Sequence, residues 1–202
     1  MKPEQHIREI IDLGDLPNDE LMDSLLSDKV KIYANQHFSG TYQISLAAKF
    51  LVQNSNSQIL DIGSGTGKFC LLGSLLHPEA HFHGVEYRES FIQMSCDIQT
   101  KLKIENVSFR HDNILNIRFD VFDGLFLFNP FLEHRNSMAR MEDFSDLTSN
   151  YDAYFSHVRA ELARCRSGVR LVTLYEATEQ VPSNFKLLDR KMGDTLRFYV
   201  CE

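Results

Sequence analysis

The run Asp61-Ile62-Gly63-Ser64-Gly65-Thr66-Gly67-Lys68 follows a short apolar stretch and carries three glycines at alternate positions. Glycine reaches left-handed backbone conformations at low cost and leaves main-chain atoms open to a ligand that a Cβ would hold away. A helix starting directly after such a turn presents unpaired amide N–H groups, which favour an anion. The chemistry open to this run is the holding of a small molecule that bears an anionic group. Its spacing narrows the choice. A phosphate-binding P-loop needs G-x-x-x-x-G-K-[ST]. Here the position five before Gly67 is Ile62, and Phe69 follows Lys68 where a hydroxyl would meet a magnesium ion. A dinucleotide fold uses G-x-G-x-x-G, and reading from Gly63 puts Lys68 at the third glycine. The observed pattern is D-x-G-x-G-x-G.

A loop of this kind needs a strand before it and a helix after it. "SQIL" with Asp61 reads as the strand, and Phe69, Leu72 and Leu76 mark one face of the helix, which Pro78 closes. Beyond it, apolar runs and helical patterns alternate, as in a parallel α/β sheet. A second strand is expected at 81–86, a helix through Phe91, Met94, Ile98 and Leu102, a third strand at 107–110 and a nearly all-apolar fourth at 121–128. Phe144, Leu147, Tyr151, Tyr154, Val158, Leu162 and Cys165 form a helical stripe, with Gly168 as its expected C-terminal cap. A fifth strand at 169–175 precedes "FKLLDRK" and "TLRFYVCE", which the short "MGD" turn joins as a closing antiparallel hairpin. Upstream, "PNDELMDSLLSDKV" and "SGTYQISLAAKFLV" read as amphipathic helices, with Asn18 and Ser39 as N-caps. Residues 1–57 are thus expected to be a helical extension or lid on a unit spanning 58–202.

The 202 residues are 43% apolar with a net charge of −7. That is enough for a sizeable core, and it argues against a surface built to neutralise phosphates, so a nucleic-acid partner is disfavoured. The four cysteines (Cys70, Cys96, Cys165 and Cys201) are far apart and read as reduced, mostly buried thiols. The N-terminus lacks the apolar core of a signal peptide, and no stretch approaches a membrane span. A soluble, cytoplasmic protein is expected. His81 and His83 share one side of the second strand but have no third ligand in view, so no metal is expected.

The D-x-G-x-G-x-G run resembles the first motif of the class I S-adenosylmethionine-dependent methyltransferases, and the likeness extends over residues 58–202, including the final hairpin. It implies a Rossmann-like, seven-stranded, mostly parallel sheet with helices on both faces. It also implies S-adenosyl-L-methionine as cofactor, with S-adenosyl-L-homocysteine as product. Asp61, Gly63, Ser64, Gly65 and Gly67 would then line the cofactor, with the helix start near Thr66 facing its methionyl carboxylate. Glu86, ending the second strand, would accept hydrogen bonds from the ribose hydroxyls, although dinucleotide folds place an acid there too. Asp112 would accept from the adenine amine, the Asn113 backbone would lie beside the ring, and Tyr87 would pack on its face. Asp-Asn is also good turn chemistry, so Asp112 has a capping role as its alternative.

On the acceptor side, amino-methylating members of the family carry an Asn or Asp, two prolines and an aromatic after the fourth strand. Asn129-Pro130-Phe131 resembles that motif with one proline missing and the aromatic one place early. By this resemblance Asn129, next to the cofactor, orients the acceptor, Phe131 packs against it and Pro130 lines the site. Tyr42, in "SGTY", lids the pocket or packs it. An amide oxygen suits an amine's donors, so a nitrogen acceptor is favoured, on a small molecule or a protein. The chain is also similar to the non-SET histone-lysine methyltransferase family in "DIGSGTGK", in "GVE" at 84–86, and in an Asn followed by an aromatic, with Pro130 intervening here. Two other functions are open to the same residues: a non-catalytic S-adenosylmethionine-binding partner subunit, and a nicotinamide-dependent oxidoreductase.

Overall fold

The computed structural model describes residues 1–31, 39–128, 151–175 and 180–202. Seven strands form one sheet: β1 (Gln58–Ile62), β2 (His81–Glu86), β3 (Val107–His111), β4 (Gly124–Phe128), β5 (Arg170–Leu174), β6 (Phe185–Lys191) and β7 (Leu196–Cys201). Their order is β3-β2-β1-β4-β5-β7-β6. Strands β1 to β5 pair in parallel, while β7 runs antiparallel between β5 and β6. Central β1 is buried from Ile59 to Ile62, which is why its sequence is a continuous apolar run broken only by Asp61.

The helices are α1 (Pro3–Asp12), α2 (Asp19–Asp23), α3 (Asp28–Lys31), α4 (Thr41–Leu51), α5 (Lys68–Leu76), α6 (Glu89–Leu102) and α7 (Tyr151–Ala163). Helices lie on both faces. One core joins Ile44 and Leu51 of α4, Phe69 and Leu72 of α5 and Ile98 of α6 to Phe82, Phe126 and Phe198 of the sheet. Ile7 of α1 and Met22 of α2 extend it. The other joins Val158 and Leu162 of α7 to Leu60, Leu125, Leu127 and Leu171. In α6 the expected stripe is present, with Phe91, Ile98 and Leu102 buried. The helix ends at Lys103 in the left-handed region, and Arg8 of α1 donates to the Leu102 and Lys103 carbonyls there, a cation at a helix C-terminus.

Several local expectations change. Helix α1 has no counterpart among the expected elements, and the "PNDELMDSLLSDKV" pattern is divided into α2 and α3. Asn18 caps α2 as expected, its side chain accepting from the Leu21 N–H. Ser39 does not cap α4: Gly40 holds the N-cap position without a side chain, and Asp19 accepts from the Thr41 N–H at 2.9 Å instead. The fourth strand starts at Gly124, because Val121 and Phe122 lie in the turn before it. Helix α7 ends at Ala163, so Gly168, at φ +89°, serves the turn into β5, where its N–H donates to the Cys201 carbonyl. The part of the expected stripe before Tyr151 lies outside the described residues.

Candidate cofactor and acceptor site

The glycine loop stands at the carboxyl edge of the parallel strands, where open α/β sheets place their ligands. Gly63, Gly65 and Gly67 take φ values of +74°, +53° and +76°, so all three alternate positions use the left-handed region. The loop is tied to β2 by two bonds, from the Gly63 and Ser64 N–H groups to the Val85 carbonyl at 3.0 and 2.9 Å. Gly67 is the N-cap of α5 and supplies no side-chain cap, so the first N–H groups of that helix remain available to an anion. A Cβ on Gly67 would stand 2.6 Å from Phe109 Cε1 and 2.8 Å from Ser95 Oγ, so packing as well as φ requires glycine there. The Ser64 hydroxyl is buried against Gly84 and has no hydrogen-bond partner among the described residues.

Glu86 connects the loop to the end of β2. One carboxylate oxygen accepts from the Gly65 N–H at 3.0 Å and the other from the Arg88 N–H at 3.0 Å, and the residue is 7% exposed. Asp61, beneath the loop, is 4% exposed. Burial pushes its pKa up to about 8, opposed by the Cys70 thiol that donates to it and reinforced by the negative charge of Glu86. At the end of β3, Asp112 accepts from the Asn116 side chain and the Asn113 N–H, both at 2.7 Å, and pairs with Arg110. These partners, Asn116 first, hold its carboxyl below the usual range. One Asp112 oxygen is thus engaged within the turn, and the Asp112 N–H donates to the Glu86 carbonyl at 3.1 Å, which brings the β2 and β3 ends together. Asn113 caps the following 3-10 turn and donates to the Tyr154 hydroxyl of α7 at 3.2 Å. Tyr87 and Tyr42 are both exposed, past β2 and at the start of α4 respectively. Asn129, Pro130 and Phe131 lie outside the described residues, but Phe128, which precedes them, ends β4 at this edge.

In the sequence Lys68 stands out only by its place in the glycine run. It is buried and paired with Asp23 at 2.7 Å and Asp19 at 2.9 Å, fastening α2 to the first residue of α5. The signal was available: a lysine heading an otherwise apolar helix needs acidic partners, and Asp19 and Asp23 share one face of a helix. His83 bonds Gln58 at 2.8 Å and the Ser108 hydroxyl at 2.9 Å, and burial followed by the His81 charge lowers its pKa to about 4.

A seven-stranded sheet in this order, with its reversed last hairpin and a D-x-G-x-G-x-G loop tied to the acid ending β2, defines a class I, S-adenosylmethionine-dependent methyltransferase. The profile of the family described as methyltransferase domain matches residues 53–188. The chain belongs to that family, and the nicotinamide-dependent reading is thereby set aside. No curated protein sequence matches it. Among solved structures, TrmN from Thermus thermophilus is similar with a TM-score of 0.59 at 16% identity, over 84% of this chain and 51% of that one. An RNA methyltransferase from Salinibacter ruber, in complex with S-adenosyl-L-homocysteine, gives 0.54 at 13% identity, over 81% and 92%. A SAM-dependent O-methyltransferase from Thermotoga maritima gives 0.54 at 17% identity, over 87% and 71%. The chain spans about half the length of the TrmN structure. At these identities the likeness is one of fold. Among the described residues no helix is long and apolar enough to cross a membrane.

Proposed function

We propose that this chain transfers the methyl group of S-adenosylmethionine to an amine nitrogen, on a small molecule or a protein lysine. The observation that carries the reading is that Phe128 closes β4 at the same carboxyl edge as the glycine loop, and Asn129-Pro130-Phe131 come next in the sequence. The bound sulfonium supplies an activated methyl group. The α5 N-terminus binds the carboxylate of the cofactor, and Gly63, Ser64, Gly65 and Gly67 give its methionyl part room. Glu86 keeps lone pairs beyond its two backbone bonds, and with these it accepts from the ribose hydroxyls. Asp112, Asn113 and Tyr87 surround the adenine. Asn129 orients the acceptor N–H, Phe131 and Pro130 pack against its carbon frame, and Tyr42 closes over it. Residues 1–57 act as an extension held to the loop through Lys68.

Two measurements test this: calorimetry with S-adenosylhomocysteine, and incubation with methyl-labelled cofactor and a fractionated cell extract plus a panel of primary amines. Label on nitrogen is the expected result. Label confined to oxygen or carbon overturns the acceptor class. Tight S-adenosylhomocysteine binding with no label in any fraction returns the non-catalytic partner-subunit reading.

A further inference from the structure

We infer that Tyr175 and Phe128 form an aromatic wall that receives the acceptor as a cationic amine. This rests on the nitrogen-methylation reading above and names the form in which the acceptor binds, before its nitrogen releases a proton to solvent and frees the lone pair that takes the methyl group from sulfur. Tyr175 is the first residue past β5, and Phe128 is the last of β4. Phe128 is in register with Leu174, so the two aromatics stand side by side at the carboxyl edge. Their ring centroids are 5.8 Å apart with planes tilted by 40°. Tyr175 has φ +56°, a region that aromatic residues rarely occupy. It is held there by its N–H, which donates to the Thr195 carbonyl at 2.8 Å.

Neither ordinary reason for a tyrosine applies at this position. Core packing would bury the ring, yet the residue is 57% exposed. Turn chemistry would select glycine or asparagine at a positive φ. Strained residues of this kind collect at ligand sites, where surrounding structure fixes them. The occupant follows from chemistry. The faces of tyrosine and phenylalanine attract cations, the chain carries a net charge of −7 that concentrates cations around it, and an aliphatic amine is protonated at neutral pH. An uncharged planar ring is the rival occupant.

The test uses choline, a cation that cannot accept a further methyl group on nitrogen, and its uncharged isostere 3,3-dimethylbutan-1-ol. Both are titrated into the full chain saturated with S-adenosylhomocysteine. Choline should bind about tenfold more tightly than the isostere. Tyr175→Leu should erase that preference and Tyr175→Phe should keep it. Tyr175→Gly should raise the melting temperature by relieving the backbone while losing choline, a combination that a merely structural tyrosine would not give. Equal binding of the two probes by wild type, no choline binding, or an unchanged preference in Tyr175→Leu each overturns the proposal. Amine methylation that persists in those cases leaves the broader reading standing. Intact choline preference with no methylated amine overturns the broader reading and the assignment of the wall to an acceptor, and leaves a cation site of another use.

Discussion

Lys68 Nζ stands 2.7 Å from Asp23 Oδ1, with the two side chains only 9% and 12% exposed. Among the described residues Asp23 Oδ1 has no hydrogen-bond partner beside this ion pair. The pair fastens α2 to the residue that follows the glycine loop, so the N-terminal helices and the loop share one buried ionic contact. Removing one partner strands the other charge out of water, which costs far more than the pair itself contributes. Lys68→Met is expected to lower the unfolding free energy by about 3 kcal/mol, and Lys68→Met with Asp23→Leu to recover most of the loss. Urea denaturation of the two variants beside wild type decides it. A neutral single variant would mean that α2 is held by its apolar contacts alone.

Glu86 braces the loop through its bonds from the Gly65 and Arg88 N–H groups, and the ribose-binding role proposed for it separates from that brace by substitution. Glu86→Ala removes the acceptor of the Gly65 and Arg88 N–H groups, so it should cost about 1–3 kcal/mol of stability. It should also weaken S-adenosylhomocysteine roughly ten- to a hundredfold. Calorimetry and thermal melts on the same preparation check both. A melt that falls while affinity stays at the wild-type level would remove Glu86 from the ribose and leave it a brace.

Asp61 gives a pH dependence whose sign is fixed by its environment. Its folded pKa, about 8, lies above the ordinary 3.8. The native state therefore holds a proton that the unfolded chain has released, and this group's contribution to stability declines as pH rises from about 4 to about 8, then levels off. Asp61→Asn never ionises, so it should remove that decline and gain on wild type as pH increases. Denaturant midpoints at about pH 5, 7 and 9 test this. Parallel curves for the two proteins would show that Asp61 is already ionised in the fold.

What the residues disclosed in advance depended on whether the cause was local. The strand before the glycine loop, the stripe of α6 and the "MGD" hairpin turn follow from periodicity and from residues able to take a positive φ, and each is visible in a short window. The cap of α4 was missed because Asp19, distant in sequence, supplies the acceptor that Ser39 was expected to give. The start of β4 differs from expectation because Val121 and Phe122 are apolar yet lie in the turn after Phe119, whose carbonyl accepts from the Phe122 N–H at 3.1 Å. Phe119 plugs the core next to Glu161, which accepts from its N–H at 3.1 Å. The left-handed Tyr175 leaves no trace in any periodic pattern, since a hydrophobic count does not register φ.

The last prediction separates an enzyme from a binder. Asn129 directly follows Phe128 at the carboxyl edge, and its amide is assigned to the acceptor rather than to the methionyl or ribose groups. Asn129→Ala should therefore leave S-adenosylhomocysteine affinity within a few fold of wild type. Methyl transfer should fall by about tenfold to a thousandfold, because a displacement of ~1 Å in the attacking atom can cost ~100-fold. Phe131→Ala should act differently, raising KM for the acceptor more than it lowers kcat, since it removes packing present in both ground and transition states. The assay is labelled-methyl transfer to whichever amine the wild type labels, run beside a cofactor titration. Undiminished transfer by Asn129→Ala would reduce Asn129-Pro130-Phe131 to a turn that ends a strand.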